Sequence, residues 1–126
     1  MNALCQHTLL EFHGCDAGLL RRNDDLRALL LEAVRHGGGT IVTDVFHHFS
    51  PFGVSGVVVI AESHVTIHTW PEHEYAAVDI FSCSEKLDHA AIREQLRSGL
   101  RSGQVLQKTF ERGNLSESSP RATAAK

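Results

Sequence analysis

His64-Val-Thr-Ile-His68-Thr-Trp70 and Tyr75-Ala-Ala-Val-Asp79-Ile-Phe-Ser-Cys83 are the two segments that decide the fold. In an extended chain successive side chains point to opposite sides. The first segment then carries His64, Thr66, His68 and Trp70 on one face, with Val65 and Ile67 on the other. The second carries Tyr75, Asp79, Phe81 and Cys83 on one face, against Ala76, Val78 and Ile80. Two neighbouring strands, joined by a turn at Pro71, each show a polar, reactive side and a purely apolar side. A core built for stability alone has no use for the reactive side.

Outward from this pair, Thr40 to Phe49 and Ser55 to Glu62 read as two further strands around a turn at Ser50-Pro51-Phe52-Gly53. Ala3 to Phe12, ended by His13-Gly14, and Gln104 to Arg112 read as the first and last strands. Asn23-Asp24-Asp25 supplies a cap and an acidic first turn for a helix whose inner face is Leu26, Leu29, Leu30, Ala33 and Val34, stopped by Gly37. A second helix is expected from Asp88 to Ser98, with Ile92 and Leu96 inward. This order predicts one α/β domain over residues 1–113, a two-layer sandwich of an antiparallel sheet with helices on one face. The uncovered face needs a partner, and a second copy of the chain is the simplest one. Residues 114–126, rich in Ser, Pro, Ala and charge, read as a disordered tail.

Composition narrows the function. The formal net charge of −3 leaves no broad basic field for nucleic acid or an anionic membrane. The longest apolar run, Val57 to Ala61, is far too short to span a bilayer. The N-terminus lacks the charged start and apolar run of a secretory signal, so a cytoplasmic location is expected. Three cysteines without a CxxC spacing indicate neither a disulfide framework nor a zinc knuckle. Cys5 and Cys15 are expected to be small buried residues. Of nine histidines, six lie between His47 and His89, which points to metal or proton chemistry.

Three chemistries compete for these residues. His64 and His68 invite a zinc site, but on a strand four residues span about 13 Å, too far for one ion with bonds of about 2 Å. No metal is therefore expected. Gly53-Val-Ser55-Gly56 superficially suggests a hydrolase nucleophile, yet strand rather than helix follows Ser55. Glu62-Ser63-His64 ends a hydrophobic strand, where a serine hydroxyl can attack the preceding carbonyl and, after elimination, leave a ketone able to form a Schiff base with a substrate amine. Residue chemistry permits that self-cleavage without predicting it.

The run Phe49-Ser-Pro-Phe-Gly-Val-Ser55-Gly-Val-Val-Val-Ile-Ala-Glu62-Ser63-His64-Val-Thr-Ile-His68-Thr-Trp70-Pro-Glu72, continued by Tyr75 to Cys83, closely resembles the short prokaryotic S-adenosylmethionine decarboxylases. The resemblance extends more weakly from His7 through Arg112. It implies self-cleavage between Glu62 and Ser63 into a β chain of residues 1–62 and an α chain of residues 63–126 that starts with a Ser63-derived pyruvoyl cofactor. It further implies that His68 and Ser55 assist processing and that Cys83 is the proton donor to the substrate. Phe49 and Trp70 resemble the aromatic residues of the substrate pocket, and Glu72 the acid that holds the ribose hydroxyls. The implied product is the aminopropyl donor for spermidine synthesis, made by a homodimer whose sheets pack together.

Two positions depart from the family pattern. Glu74 stands where a glycine is common, so that if the position needs φ > 0 the loop must change shape, and Ser84 follows Cys83 in place of glycine. Asp44 is a further acid that could reach a pocket. Extra acids suit a basic substrate, so the same chemistry on ornithine or arginine is the alternative reading. A processing-dead homologue with a regulatory role is a third, opposed by the intact Ser63, His68 and Cys83.

Overall fold

The computed structural model describes residues 3–49 and 51–115. Strand β1 (Ala3–His13) leads through a single helical turn, α1 (Ala17–Leu20), into helix α2 (Asn23–His36). Strands β2 (Ile41–His48), β3 (Val54–Ile60), β4 (Ser63–Trp70) and β5 (Tyr75–Ser82) form a meander, followed by helix α3 (His89–Leu100) and strand β6 (Gln104–Asn114). The six strands make one sheet in the order β2-β3-β4-β5-β1-β6, with every neighbouring pair antiparallel. The helices lie on one side of it, as the order of elements predicts.

Alternation sorts the residues between the two sides. Leu10 and Phe12 of β1, Val65 and Ile67 of β4, and Val78 and Ile80 of β5 are buried in one core with Leu26, Leu30 and Val34 of α2. Ile92, Leu96 and Leu100 of α3 join them at four-residue spacing. Each such side chain contributes about 1.5–3 kcal/mol relative to exposure, which is what attaches the helices. At Gly56 an added Cβ would come within 2.2 Å of the Phe46 ring, so glycine lets Phe46 cover the helix side of the edge hairpin. The opposite face is open.

Side-chain hydrogen bonds also tie the helices to the sheet. Arg27 of α2 donates to both carboxylate oxygens of Asp44 on β2, at 2.6 and 3.2 Å. That guanidinium holds the Asp44 carboxyl below the usual carboxylate range. Asp44 therefore sits on the helix side with its charge already paired, and does not face the open side. At the start of α3, His89 Nδ1 and Thr8 Oγ1 are hydrogen-bonded at 2.8 Å. Burial pulls the His89 pKa down, only partly offset by Asp88. The unfolded chain then binds a proton at His89 more readily than the folded one, near pH 6.5. Stability from this group is present above that pH and is lost as pH falls toward the folded value. The urea midpoint is accordingly expected to drop more between pH 7 and pH 5.5 in the wild type than in His89→Gln; equal drops would refute the assignment.

Several expectations need correction. Asn23 does not cap α2: α1, capped by Asp16, occupies the preceding residues, and the chain makes its extended step at Arg22, one residue earlier. Asp24 and Asp25 remain in the first turn, where the helix dipole favours them. Helix α3 runs on to Leu100, with Arg101 in a left-handed cap. The last strand reaches Asn114, so the expected tail is described only at its start; residues 116–126 lie outside the described residues. No helix among the described residues is long and apolar enough to cross a membrane.

Candidate active site

The residues singled out in the sequence fall into two clusters at opposite ends of β4. The first surrounds the Glu62–Ser63 bond. Ala61 and Glu62 are the two residues that turn β3 into β4, and Glu62 has φ 60°, a left-handed conformation. A non-glycine residue there stores about 1–3 kcal/mol of strain. The backbone N–H of Cys83 donates to the Glu62 carbonyl oxygen at 3.3 Å. Ser63 points into the helix side and is buried, with its Oγ 3.4 Å from Ser82 Oγ on the paired strand. Ser82 in turn donates to the Ser84 carbonyl at 2.8 Å and accepts from the Ser84 N–H at 3.2 Å. A hydroxyl, a strained backbone link and a donor on the carbonyl oxygen thus lie together beside a cavity of about 140 Å³. Ser82 was missed in the sequence, where it reads as one more residue on the apolar side of β5. It gains significance only from the register that sets it opposite Ser63.

The second cluster lies on the open face at the far end of β4. Ser55 of β3 and His68 of β4 are cross-strand partners, with Ser55 Oγ and His68 Nδ1 hydrogen-bonded at 2.8 Å. They line a pocket of about 280 Å³ together with Phe49, Phe52, Trp70 and Glu72. Phe49 and Trp70 are 48% and 40% exposed, so their rings are available to a ligand. Trp70 stacks on Tyr75 at 5.3 Å, and Tyr75 on His13 at 5.1 Å, which braces the indole. Burial pushes the Tyr75 phenol up to about 12, with its hydrogen bond to Glu11 adding to the shift, so the ring stays neutral. Five of the expected residues are therefore gathered in one place.

The two clusters do not meet within the chain. Ser63 and His68 are five residue steps apart along the strand, about 17 Å, and the two side chains point to opposite faces.

Cys83 brings a further correction. It is disulfide-bonded to Cys5, its neighbour across the β1–β5 pair, 78 residues away in sequence. No spacing rule detects such a pair, because the sheet rather than the local chain brings it together. Cys15 is a buried thiol, and burial raises its pKa to about 11.

Glu74 shows how the loop tolerates its departure from glycine. It keeps a left-handed conformation, φ 51° and ψ 39°, at the end of the 3-10 turn over Pro71–His73. Its N–H donates to the Pro71 carbonyl, and its own carbonyl accepts from the Cys15 N–H at 2.9 Å. The loop shape is retained and the strain accepted. Glu74→Gly is expected to stabilise the protein by about 1 kcal/mol. That corresponds to a rise in Tm of roughly 3–6 °C for a domain of this size, and an unchanged or lower Tm in calorimetry would contradict it.

Comparison with known proteins bears on the same residues. The S-adenosylmethionine decarboxylase family model matches residues 6–113. The chain is 44% identical over 117 residues to the S-adenosylmethionine decarboxylase proenzyme of Thermotoga petrophila, covering 93% of this chain and 90% of that one. It is 51% identical over 88 residues to the proenzyme of Acetivibrio thermocellus, 70% of this chain and 71% of the other. The crystal structure of the adenosylmethionine decarboxylase from Aquifex aeolicus superposes with a TM-score of 0.85 at 33% identity, over 94% of this chain and 98% of that chain. With a match that runs through both clusters and nearly the whole sheet, the chain belongs to the S-adenosylmethionine decarboxylase family.

Proposed function

We infer that this chain is a self-processing S-adenosylmethionine decarboxylase whose catalytic ketone arises from Ser63. The observation that carries the reading is the strained Glu62–Ser63 link, with a buried hydroxyl at hand and the Cys83 N–H on its carbonyl oxygen. Ser63 Oγ attacks the Glu62 carbonyl carbon, and the acyl group passes from the Ser63 nitrogen to Oγ. The Cys83 N–H stabilises the oxyanion that develops in between. Removal of the Ser63 α-proton then breaks the Cβ–Oγ bond, and Oγ departs as part of the Glu62 carboxylate. Water replaces the nitrogen of the resulting dehydroalanine, releasing ammonia and leaving a ketone at the start of residues 63–126. This pyruvoyl group supplies an electrophile for the substrate amine and a sink for the electron pair left by carbon dioxide.

The remaining steps belong to the side chains. His68, oriented by Ser55, takes the Ser63 α-proton. Phe49 and Trp70 offer aromatic faces to the adenine and the sulfonium, and Glu72 accepts from the ribose hydroxyls. The Cys83 thiol, when reduced, returns a proton to the substrate α-carbon. Because Ser63 and His68 are far apart in one protomer, the site is completed by a second copy. A two-fold axis between two facing sheets, perpendicular to β4, lays the His68 end of one copy over the Ser63 end of the other. The open face suits this contact: Val45, Val57, Val59 and Phe110 are exposed on it.

Asp44 also favours this substrate, since the acid that would have served ornithine or arginine is engaged by Arg27 on the helix side. Carbon dioxide release is expected from S-adenosylmethionine when the three substrates are assayed in parallel on reduced enzyme. Release from ornithine or arginine alone would overturn the substrate assignment.

A further inference from the structure

The Cys5–Cys83 disulfide ties a residue with no part in the chemistry above to the one assigned as proton donor. Cys5 alternates with His7 and Leu9 on the open face of β1, and Cys83, the residue just past the end of β5, is bonded to it there. Their Cα atoms are 4.1 Å apart, close enough for the two sulfurs to reach each other. Cys83 is exposed and Cys5 partly so. An opening that admits a nucleoside substrate to Cys83 also admits a small thiol. A sulfur in a disulfide carries no proton, and the bonded Cys83 has none to give.

We propose that Cys5 and Cys83 form a redox modification site in which the disulfide holds the processed enzyme inactive and a low-molecular-weight thiol activates it. The proposal rests on the proton-donor reading of Cys83. In the activating direction a thiolate attacks one sulfur of the pair, the Cys5–Cys83 bond breaks, and a mixed disulfide forms. A second thiol molecule then displaces the protein sulfur. Two small thiols are thereby oxidised to their disulfide, and Cys5 and Cys83 are both left as thiols. The small-molecule disulfide runs the same exchange backward. Self-cleavage is untouched, because it uses the Cys83 backbone N–H and not its sulfur.

The position of the pair gives a readout independent of activity. Cys5 lies in residues 1–62 and Cys83 in residues 63–126, so the disulfide covalently joins the two fragments that cleavage produces. Wild-type enzyme equilibrated with glutathione disulfide, then freed of it, is expected to run as one species on a denaturing gel without reductant, and as two after dithiothreitol. Its decarboxylation of S-adenosylmethionine is expected to be about 100-fold below that of the reduced enzyme, the scale of a lost general acid. Cys5→Ser, prepared without oxidant, is expected to give two fragments without reductant and to turn over at the same rate before and after dithiothreitol. Fragments that stay separate in oxidised wild type, or a linked enzyme as fast as the reduced one, would overturn the proposal. Cys83→Ser separates this failure from that of the underlying reading: full turnover by that variant removes Cys83 as the proton donor, whereas a linked but active wild type removes only the masking.

Discussion

Ser63→Ala is expected to yield one unsplit chain of about the full 13.9 kDa on a reducing gel, and no carbon dioxide from any amino-acid substrate. The expectation follows from what the hydroxyl does and from how little else depends on it. Alanine lacks the oxygen that must attack the Glu62 carbonyl, so no ester forms, no Cβ–O bond is available to eliminate, and no ketone appears. The strain at Glu62 and the Cys83 N–H on its carbonyl remain, but without a nucleophile they have nothing to promote. The fold should survive. Ser63 makes one long side-chain contact, 3.4 Å to Ser82, and Ser82 keeps both of its bonds to the Ser84 backbone. Circular dichroism and Tm close to the wild type would show that the loss is chemical. The gel must contain reductant, since the Cys5–Cys83 bond makes cleaved and uncleaved chains look alike without it. Two fragments from the alanine variant would end the assignment of the nucleophile.

Much of this arrangement was legible in the sequence because alternation is a local property. The faces of His64–Trp70 and Tyr75–Cys83 follow from the two-residue period alone, and the helix layer follows from Leu26, Leu30 and Val34. Alternation also places His68 and Cys83 on the open face, as found. What escaped was whatever depends on pairing between distant segments. The Cys5–Cys83 bond requires β1 to lie beside β5, a crossover that no spacing encodes. Ser82 becomes significant only once the register sets it opposite Ser63. Asp44 lost its expected role for the same reason, because its partner Arg27 comes from a helix 17 residues earlier. The α1 turn is too short for a periodic signal, and its presence moved the cap of α2 from Asn23 to Arg22. Family resemblance named Ser63, His68 and Ser55 as working together, whereas the strand geometry places the first about 17 Å from the others.

That separation leads to the second large effect, restoration of function between two inactive variants. His68→Ala keeps Ser63 but lacks the base for its α-proton, so alone it should yield no α fragment carrying the ketone. Ser63→Ala keeps Ser55 and His68 but has no serine to convert. If each site takes Ser63 from one copy and His68 from the other, a mixed dimer contains one complete site. In it, the Ser63 of the His68→Ala chain faces His68 of the partner subunit. Co-expression of the two, with a size tag on one, should therefore produce the ketone-bearing fragment from the His68→Ala chain only, and with it measurable decarboxylation. A site built within one protomer predicts the opposite, since neither chain then holds both residues and mixing changes nothing. Intact mass of the α fragment decides the matter independently of turnover, because conversion of serine to a pyruvoyl group alters the fragment's mass. The outcome also tests the open face itself. Substituting Val57 and Phe110 by charged residues in the same pair should abolish the rescue if the facing sheets bring the two halves together, and leave it intact if some other contact does.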